Sequence, residues 1–383
     1  MTHLKLRRGA NAAALVFTPL LFASAPPSAH AAARAQEQPA PTQTKPAASR
    51  PATAEDDFAR GQRLLAGGDA AGAAGAFESA AEARKTDADA WYYYGLALTR
   101  AGKAKDARKA FDRAVQLRPD SSDAHAGLAF ALLMLGKERE AEASARRALA
   151  ASPRQAKAHY VVGVVRSREE KFDAALAEAE AALRDDPDFA AAAYLASDAL
   201  LNLFFEESAR VAAQYPIAAG AGRDEIRLAL EKREPAVAPF RTRMRELAER
   251  LEAFAAARPK AQDAAVWREQ AQSLRIYSGR PEGRGPGDVY TATQVTTKAL
   301  ILAKPEPAYT EEARAKRTSG VVRLRAVLGA DGRVRNVVPV RRLPNGLTES
   351  AVEAVRRIRF TPATLEGRPV SQVIMLEYRF EVH

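Results

Sequence analysis

Lys304-Pro305-Glu306-Pro307-Ala308-Tyr309-Thr310-Glu311-Glu312-Ala313-Arg314 opens residues 304–383, where the hydrophobic pattern of the chain changes period. Gly320-Val321-Val322-Arg323-Leu324-Arg325-Ala326-Val327 follows, then the turn Asp331-Gly332. Val322, Leu324, Ala326 and Leu328 alternate with Arg323 and Arg325, and Val334, Val338 and Val340 alternate with Arg333 and Arg335. Period-two alternation predicts half-buried strands. A three-residue loop, Ala330-Asp331-Gly332, sets Leu328 opposite Val334, Leu324 opposite Val338 and Val322 opposite Val340. A four-residue loop would set arginines opposite the apolar face. Pro339 has no N–H to donate, which makes the second strand an edge or a bulged strand.

A helix comes next. Thr348 is its candidate N-cap, Glu349 suits the positive end of the helix dipole, and Arg356, Arg357 and Arg359 suit the other end. Ala351, Val352, Val355 and Ile358 fall on one face. Then Ile374, Leu376, Tyr378, Phe380 and Val382 alternate against Met375, Glu377, Arg379 and Glu381 as a third strand. The unit is β-β-α-β, a small α+β domain. The edge of its last strand can accept an extended peptide by strand addition. Gln372, Val373, Met375, Glu377 and Arg379 are the candidate contacts, while Ile374, Leu376 and Phe380 read as core.

The landmarks continue in order through Phe360-Thr361-Pro362-Ala363, Gly367 and Pro369-Val370. The segment resembles the C-terminal domain of the TonB family. The resemblance implies that residues 373–382 receive the TonB box of an outer-membrane transporter, and that two copies can pair through their strands as a homodimer. In that family an N-terminal membrane helix couples to the ExbB–ExbD motor. The Ser-x-x-x-His pattern of that helix is missing here, which separates this chain from direct energy transduction.

Upstream, Lys5, Arg7 and Arg8 precede an apolar run over residues 10–25, interrupted by Pro19, and Ala29-His30-Ala31 fits a small-x-small cleavage site. Residues 1–31 read as a cleaved signal peptide, which predicts a periplasmic protein. The alternative is an uncleaved anchor in the inner membrane. Residues 32–53, rich in Pro, Ala and Gln, read as a disordered linker.

From residue 54 the chain repeats at the 34-residue interval of tetratricopeptide units. One copy reads Trp91, Tyr94, Gly95, Leu98, Gly102, Ala107, Phe111, Ala114, Pro119. The next reads His125, Leu128, Ala129, Leu132, Gly136, Ala141, Ala145, Ala148, Pro153, and a third runs from His159 through Gly163 and Ala175 to Pro187. A looser copy holds Gly61, Leu64, Gly68, Ala73 and Phe77, and a partial fifth runs from Ala190 to Pro216. Such units stack into an all-α solenoid whose groove binds proteins. Tyr92 and Leu96 fall at groove-facing offsets; His125 and His159 fall at packing positions.

Within residues 217–278, helices are predicted over 224–232, 239–257 and 261–277 as a degenerate cap of the repeats. Residues 279–303 read as an interdomain linker, with a short strand within 290–302. The architecture is therefore multidomain: an all-α tetratricopeptide solenoid over 54–216, the extension, the linker, and the α+β domain over 304–383.

The formal net charge is +11, and the excess sits in the C-terminal domain. Arg323, Arg325, Arg333 and Arg335 form a predicted basic face suited to peptidoglycan, lipid head groups or an acidic receptor segment. Nucleic acid does not fit an exported protein. The chain has no cysteine, which excludes disulfides, thiolate chemistry and lipidation at cysteine. No zinc-protease motif, nucleophile elbow, phosphate loop or dinucleotide fingerprint occurs. The expectation is a non-enzymatic protein without cofactor or metal. It is a periplasmic adaptor gripping an outer-membrane transporter, with other envelope proteins at the repeat groove. The alternative is an envelope or cell-wall assembly scaffold.

Overall fold

A computed structural model describes residues 54–218, 220–259, 261, 263–279, 289–292 and 294–381. The signal and linker readings over residues 1–53, and Val382 of the last strand, lie outside the described residues. The described chain divides into two compact units, residues 54–196 and 197–381.

The first unit is a run of antiparallel helix pairs: α1 (Ala54–Ala66) with α2 (Ala70–Ala83), α3 (Ala88–Arg100) with α4 (Ala104–Leu117), α5 (Ser122–Met134) with α6 (Glu138–Ala151), and α7 (Ala156–Arg168) with α8 (Phe172–Asp185). Close approach explains the small residues. A Cβ on Gly95 would meet the Phe111 ring at 2.9 Å, and one on Gly127 would meet it at 2.4 Å. Phe111 is thus the large residue between two glycine-bearing helices, which is the packing rule of the repeat. Asp87 and Ser121 cap α3 and α5 by accepting from their first-turn N–H groups.

The partial fifth copy departs from the repeat. Where a helix pair was expected, α9 (Ala190–Gln214) is one 25-residue helix that begins in the first unit and ends in the second. The separate helices expected over 224–232 and 239–257 are likewise one helix, α10 (Arg223–Ala257), which runs through Pro235 and Pro239. Arg241 pairs with Glu234 at 2.6 Å across the prolines, and Met244, Ala248, Leu251 and Phe254 are buried beyond them. This packing overrides the local cost of proline. α10 pairs with α11 (Ala264–Ser278), which also packs on the C-terminal sheet; the extension is thus part of the sheet's own unit.

That sheet is built from β1 (Val289–Tyr290), β3 (Gly320–Leu328), β4 (Val334–Arg341), β6 (Ala363–Leu365) and β7 (Arg368–Phe380). Its order is β1-β7-β3-β4, with β6 paired to the start of β7. β2 (Leu300–Ala303) and β5 (Arg359–Thr361) make a separate pair. α12 (Glu311–Ala315) and α13 (Leu347–Arg356) complete the unit. Leu347, Ala351, Ala354 and Val355 of α13 pack on Val322, Leu324, Ala326, Leu328, Leu376, Tyr378 and Phe380 as one core. Period-two and period-3.6 faces meet there as the sequence predicts.

Four local expectations are corrected. The hairpin loop is the three-residue one, with Gly332 at φ 77° and Leu328 opposite Val334. The register then slips: Arg325 faces Val338 and Leu324 faces Pro339. The cause is a bulge at Asn336, whose φ of 51° is left-handed and whose side chain is taken by α11. Thr348 is not the N-cap; Gly346 is, and the Thr348 hydroxyl instead bonds both the N–H and the carbonyl of Leu343. Arg359 begins β5 rather than ending the helix. Gln372 points into the domain, because it shares the parity of Leu376 and Tyr378.

Candidate partner-binding surfaces

β7 is the longest strand of the sheet and is unevenly covered. Along one side it pairs with β3 from Gln372 to Phe380. Along the other, β6 covers residues 368–370 and the parallel β1 covers Ser371 and Gln372. Among the described residues no strand pairs with that side beyond Gln372, leaving residues 373–380 open. At about 3.4 Å per residue the opening is about 27 Å long. The Glu377 carbonyl faces it, since it accepts from Lys304 Nζ at 2.7 Å. Two-residue alternation turns the backbone groups of Val373, Met375 and Arg379 the same way.

The side chains nominated there divide. Gln372 is 3% exposed, and its Oε1 accepts from the Ala299 N–H at 2.8 Å, so it is a core anchor. Val373 sits across from the buried Val327 and is half-buried. Met375 is 44% exposed. Glu377 accepts from Arg323 at 2.6 Å, and Arg379 lies 3.9 Å from Glu381.

The opposite edge, β4, is closed. The Asn336 N–H donates to Glu269 of α11 at 3.2 Å, its side-chain amide donates to the Glu269 carbonyl at 3.0 Å and Ser273 Oγ at 3.1 Å, and Pro339 has no donor. β7 is therefore the described edge available for strand addition.

In the first unit, α5 touches both α3 and α7. Leu96 is 9% exposed and belongs to the core. Tyr92 is half-buried, its ring 5.3 Å from that of Tyr93 and 5.9 Å from that of Phe111. Burial pushes its hydroxyl well above the ordinary tyrosine range, with Asp123 adding to the effect. Burial also pushes the Lys157 ammonium down, opposed by Asp123. Gln155 donates to Asp123 at 3.0 Å. Tyr92, Asp123 and Lys157 are thus electrostatic neighbours on the first helices of three repeats. Asp123 and Lys157 were missed in the sequence, although with Asp89 they recur at the 34-residue interval. His125 Nε2 sits 2.8 Å from the Pro119 carbonyl, and His159 lies between Glu178 at 2.7 Å and the Pro153 carbonyl at 3.0 Å.

Two tetratricopeptide family models match residues 58–122 and 98–163, and the model of the Gram-negative bacterial TonB protein C-terminal region matches residues 305–382. The chain joins tetratricopeptide repeats to a TonB C-terminal domain. Solved structures similar to it include MamA from Desulfovibrio magneticus RS-1, at 21% identity over 48% of this chain and 92% of that one, with a TM-score of 0.34. A thermophilic tetratricopeptide protein of Thermus thermophilus, TTC0263, is 18% identical over 57% of this chain and 99% of that one, with a TM-score of 0.42. No curated protein matches the chain.

The basic face foreseen for the TonB domain is not a face. Arg325 is covered by the helices, its guanidinium 4.7 Å from the Phe205 ring centroid and 5.8 Å from that of Tyr277. Burial lowers its pKa and pushes the Tyr277 hydroxyl up to about 12. Arg323 is paired with Glu377, and the exposed Arg335 with Asp331. Arg333 is exposed at the hairpin. The alternation correctly put Arg325 off the helix-covered face, but the second face of the sheet has a cover of its own. Among the described residues there is no group of three His, Cys, Asp or Glu able to hold a metal, and no helix long and apolar enough to cross a membrane.

Proposed function

We propose that this protein is a periplasmic TonB-like adaptor. Its TonB domain takes an extended segment of an outer-membrane transporter onto residues 373–380 of β7, while the repeats hold a second envelope protein. The observation that carries this reading is the pairing pattern. β4 is closed by α11, and β7 keeps a row of outward backbone groups over a rigid, helix-backed sheet.

The absence of cysteine makes the test direct. Single Met375→Cys, Arg379→Cys and Arg333→Cys variants are mixed with cysteine-bearing TonB-box-like peptides under oxidising conditions. Strand addition predicts disulfide capture at Met375→Cys and Arg379→Cys, in register with the peptide position, and none at Arg333→Cys. Equal capture at all three positions, or none, rejects the reading.

A further inference from the structure

We propose that Lys304 is a displaceable latch on the open β7 edge, and that the strand replacing it is an extended apolar peptide carrying an acidic residue. This rests on the strand-addition reading above. Residues 299–304 run beside the open stretch and are pinned at both ends. The Ala299 N–H donates to Gln372 Oε1 at 2.8 Å, and Lys304 Nζ donates to the Glu377 carbonyl at 2.7 Å. Between these anchors β2 pairs with β5, not with β7. The edge is therefore guarded by one side chain on a central ladder acceptor, rather than filled by a strand. A lysine in such a place opposes casual pairing with other chains, because its charge must be moved first.

The latch sits over an unmet hydrogen bond. The Lys304 ammonium is 4.3 Å from the Tyr378 ring centroid, and the buried Tyr378 hydroxyl has no hydrogen-bond partner among the described residues. A buried hydroxyl without a partner is unfavourable, so the latched arrangement is not the best polar arrangement of this corner. The flanks are apolar: Leu300 and Leu302 of β2 are 63% and 64% exposed, and Met375 of β7 is exposed as well. These side chains suit an apolar strand. A strand using the Glu377 carbonyl as its acceptor must move the ammonium aside, and the freed charge then needs an anion. Glu377 is already engaged by Arg323, so the carboxylate must come from the incoming strand.

The test uses the full chain, fluorescence anisotropy, and labelled seven-residue Val/Thr peptides carrying glutamate at each position in turn, with glutamine controls. Lys304→Met keeps the stem over Tyr378 and removes the charge and the donor. Wild type is expected to favour the best glutamate peptide over its glutamine control about three- to fivefold, the size of an exposed ion pair, and less so at high salt. Lys304→Met should lose that preference and bind the glutamine peptide more tightly than wild type does. An unchanged preference in Lys304→Met, or weaker binding of both peptides, overturns the latch and leaves strand addition standing. If neither protein binds any peptide, strand addition and the latch fall together.

Discussion

Glu269 of α11 ties the helical extension to the C-terminal sheet, and its removal has a calculable cost. Its carboxylate accepts from the Asn336 N–H at 3.2 Å and from Arg356 at 3.2 and 3.3 Å. Asn336 is 1% exposed, so the N–H has no ready access to water once the carboxylate is gone. A hydrogen bond to a charged acceptor contributes about 1.5–3 kcal/mol, and loss of one partner adds desolvation of the other. The Arg356 pair is half-exposed and adds under about 1 kcal/mol. Glu269→Ala should therefore destabilise the α11–β4 contact by about 2–3 kcal/mol. Glu269→Gln, which keeps an acceptor and removes the charge, should cost about 1 kcal/mol. The chain has two units, so a single unfolding midpoint is the wrong observable. Hydrogen exchange by mass spectrometry on the full chain reads the contact directly. Peptides covering 264–278 and 334–341 should lose about 30- to 100-fold protection in Glu269→Ala, and peptides of α3–α6 should be unchanged. Equal loss in the two variants would show that the buried N–H contributes nothing, and no loss would refute the account of the closed β4 edge.

Three further outcomes are expected. Phe111→Ala should destabilise the repeats by about 3–5 kcal/mol. Gly127→Ala should cost about 1–3 kcal/mol, because its Cβ would meet that ring at 2.4 Å. Thermal melts of the double variant should show less than the sum, and strict additivity would contradict the packing. Gly332→Ala should cost about 1 kcal/mol, because φ is 77° in open space and only the backbone is strained; a larger loss in denaturant titration would point to a contact not accounted for. Glu252 is held below the ordinary glutamate pKa by its hydrogen bonds to Arg275. Its stabilisation of the α10–α11 pair is therefore present above that ordinary value and lost as pH falls through the lowered one. The half-exposed pair limits the effect to under about 1 kcal/mol. Hydrogen exchange of α10 and α11 at acidic pH should weaken in wild type more than in Glu252→Gln.

Much of this protein is legible without coordinates, for identifiable reasons. The repeats are readable because each copy solves the same local problem. Gly95 must lie against Phe111, and a 34-residue spacing of small and large residues records that contact. The strands of the TonB domain are readable because one face is buried, so period two is written into Val322, Leu324, Ala326 and Leu328. The Asp331-Gly332 turn is readable because its glycine needs a positive φ.

The departures arise where a distant element imposes a choice that local pattern cannot carry. The hairpin register past Val334 was decided by α11, which draws Asn336 into a bulge from 67 residues away. Arg325 looked solvent-facing because alternation says only that it leaves the helix-covered side; the rings of Phe205 and Tyr277 cover the other side. α10 continues through two prolines because burial of Met244, Leu251 and Phe254 outweighs a local penalty. The candidate site divides in the same way. From sequence alone, β7 is a strand with an apolar face and a polar one. That its edge is open over residues 373–380, that β4 is closed, and that Lys304 holds the Glu377 carbonyl depend on strand order. Strand order comes from contacts between segments far apart in the chain. Local periodicity reports which side of an element is buried, and only the tertiary structure decides what buries it.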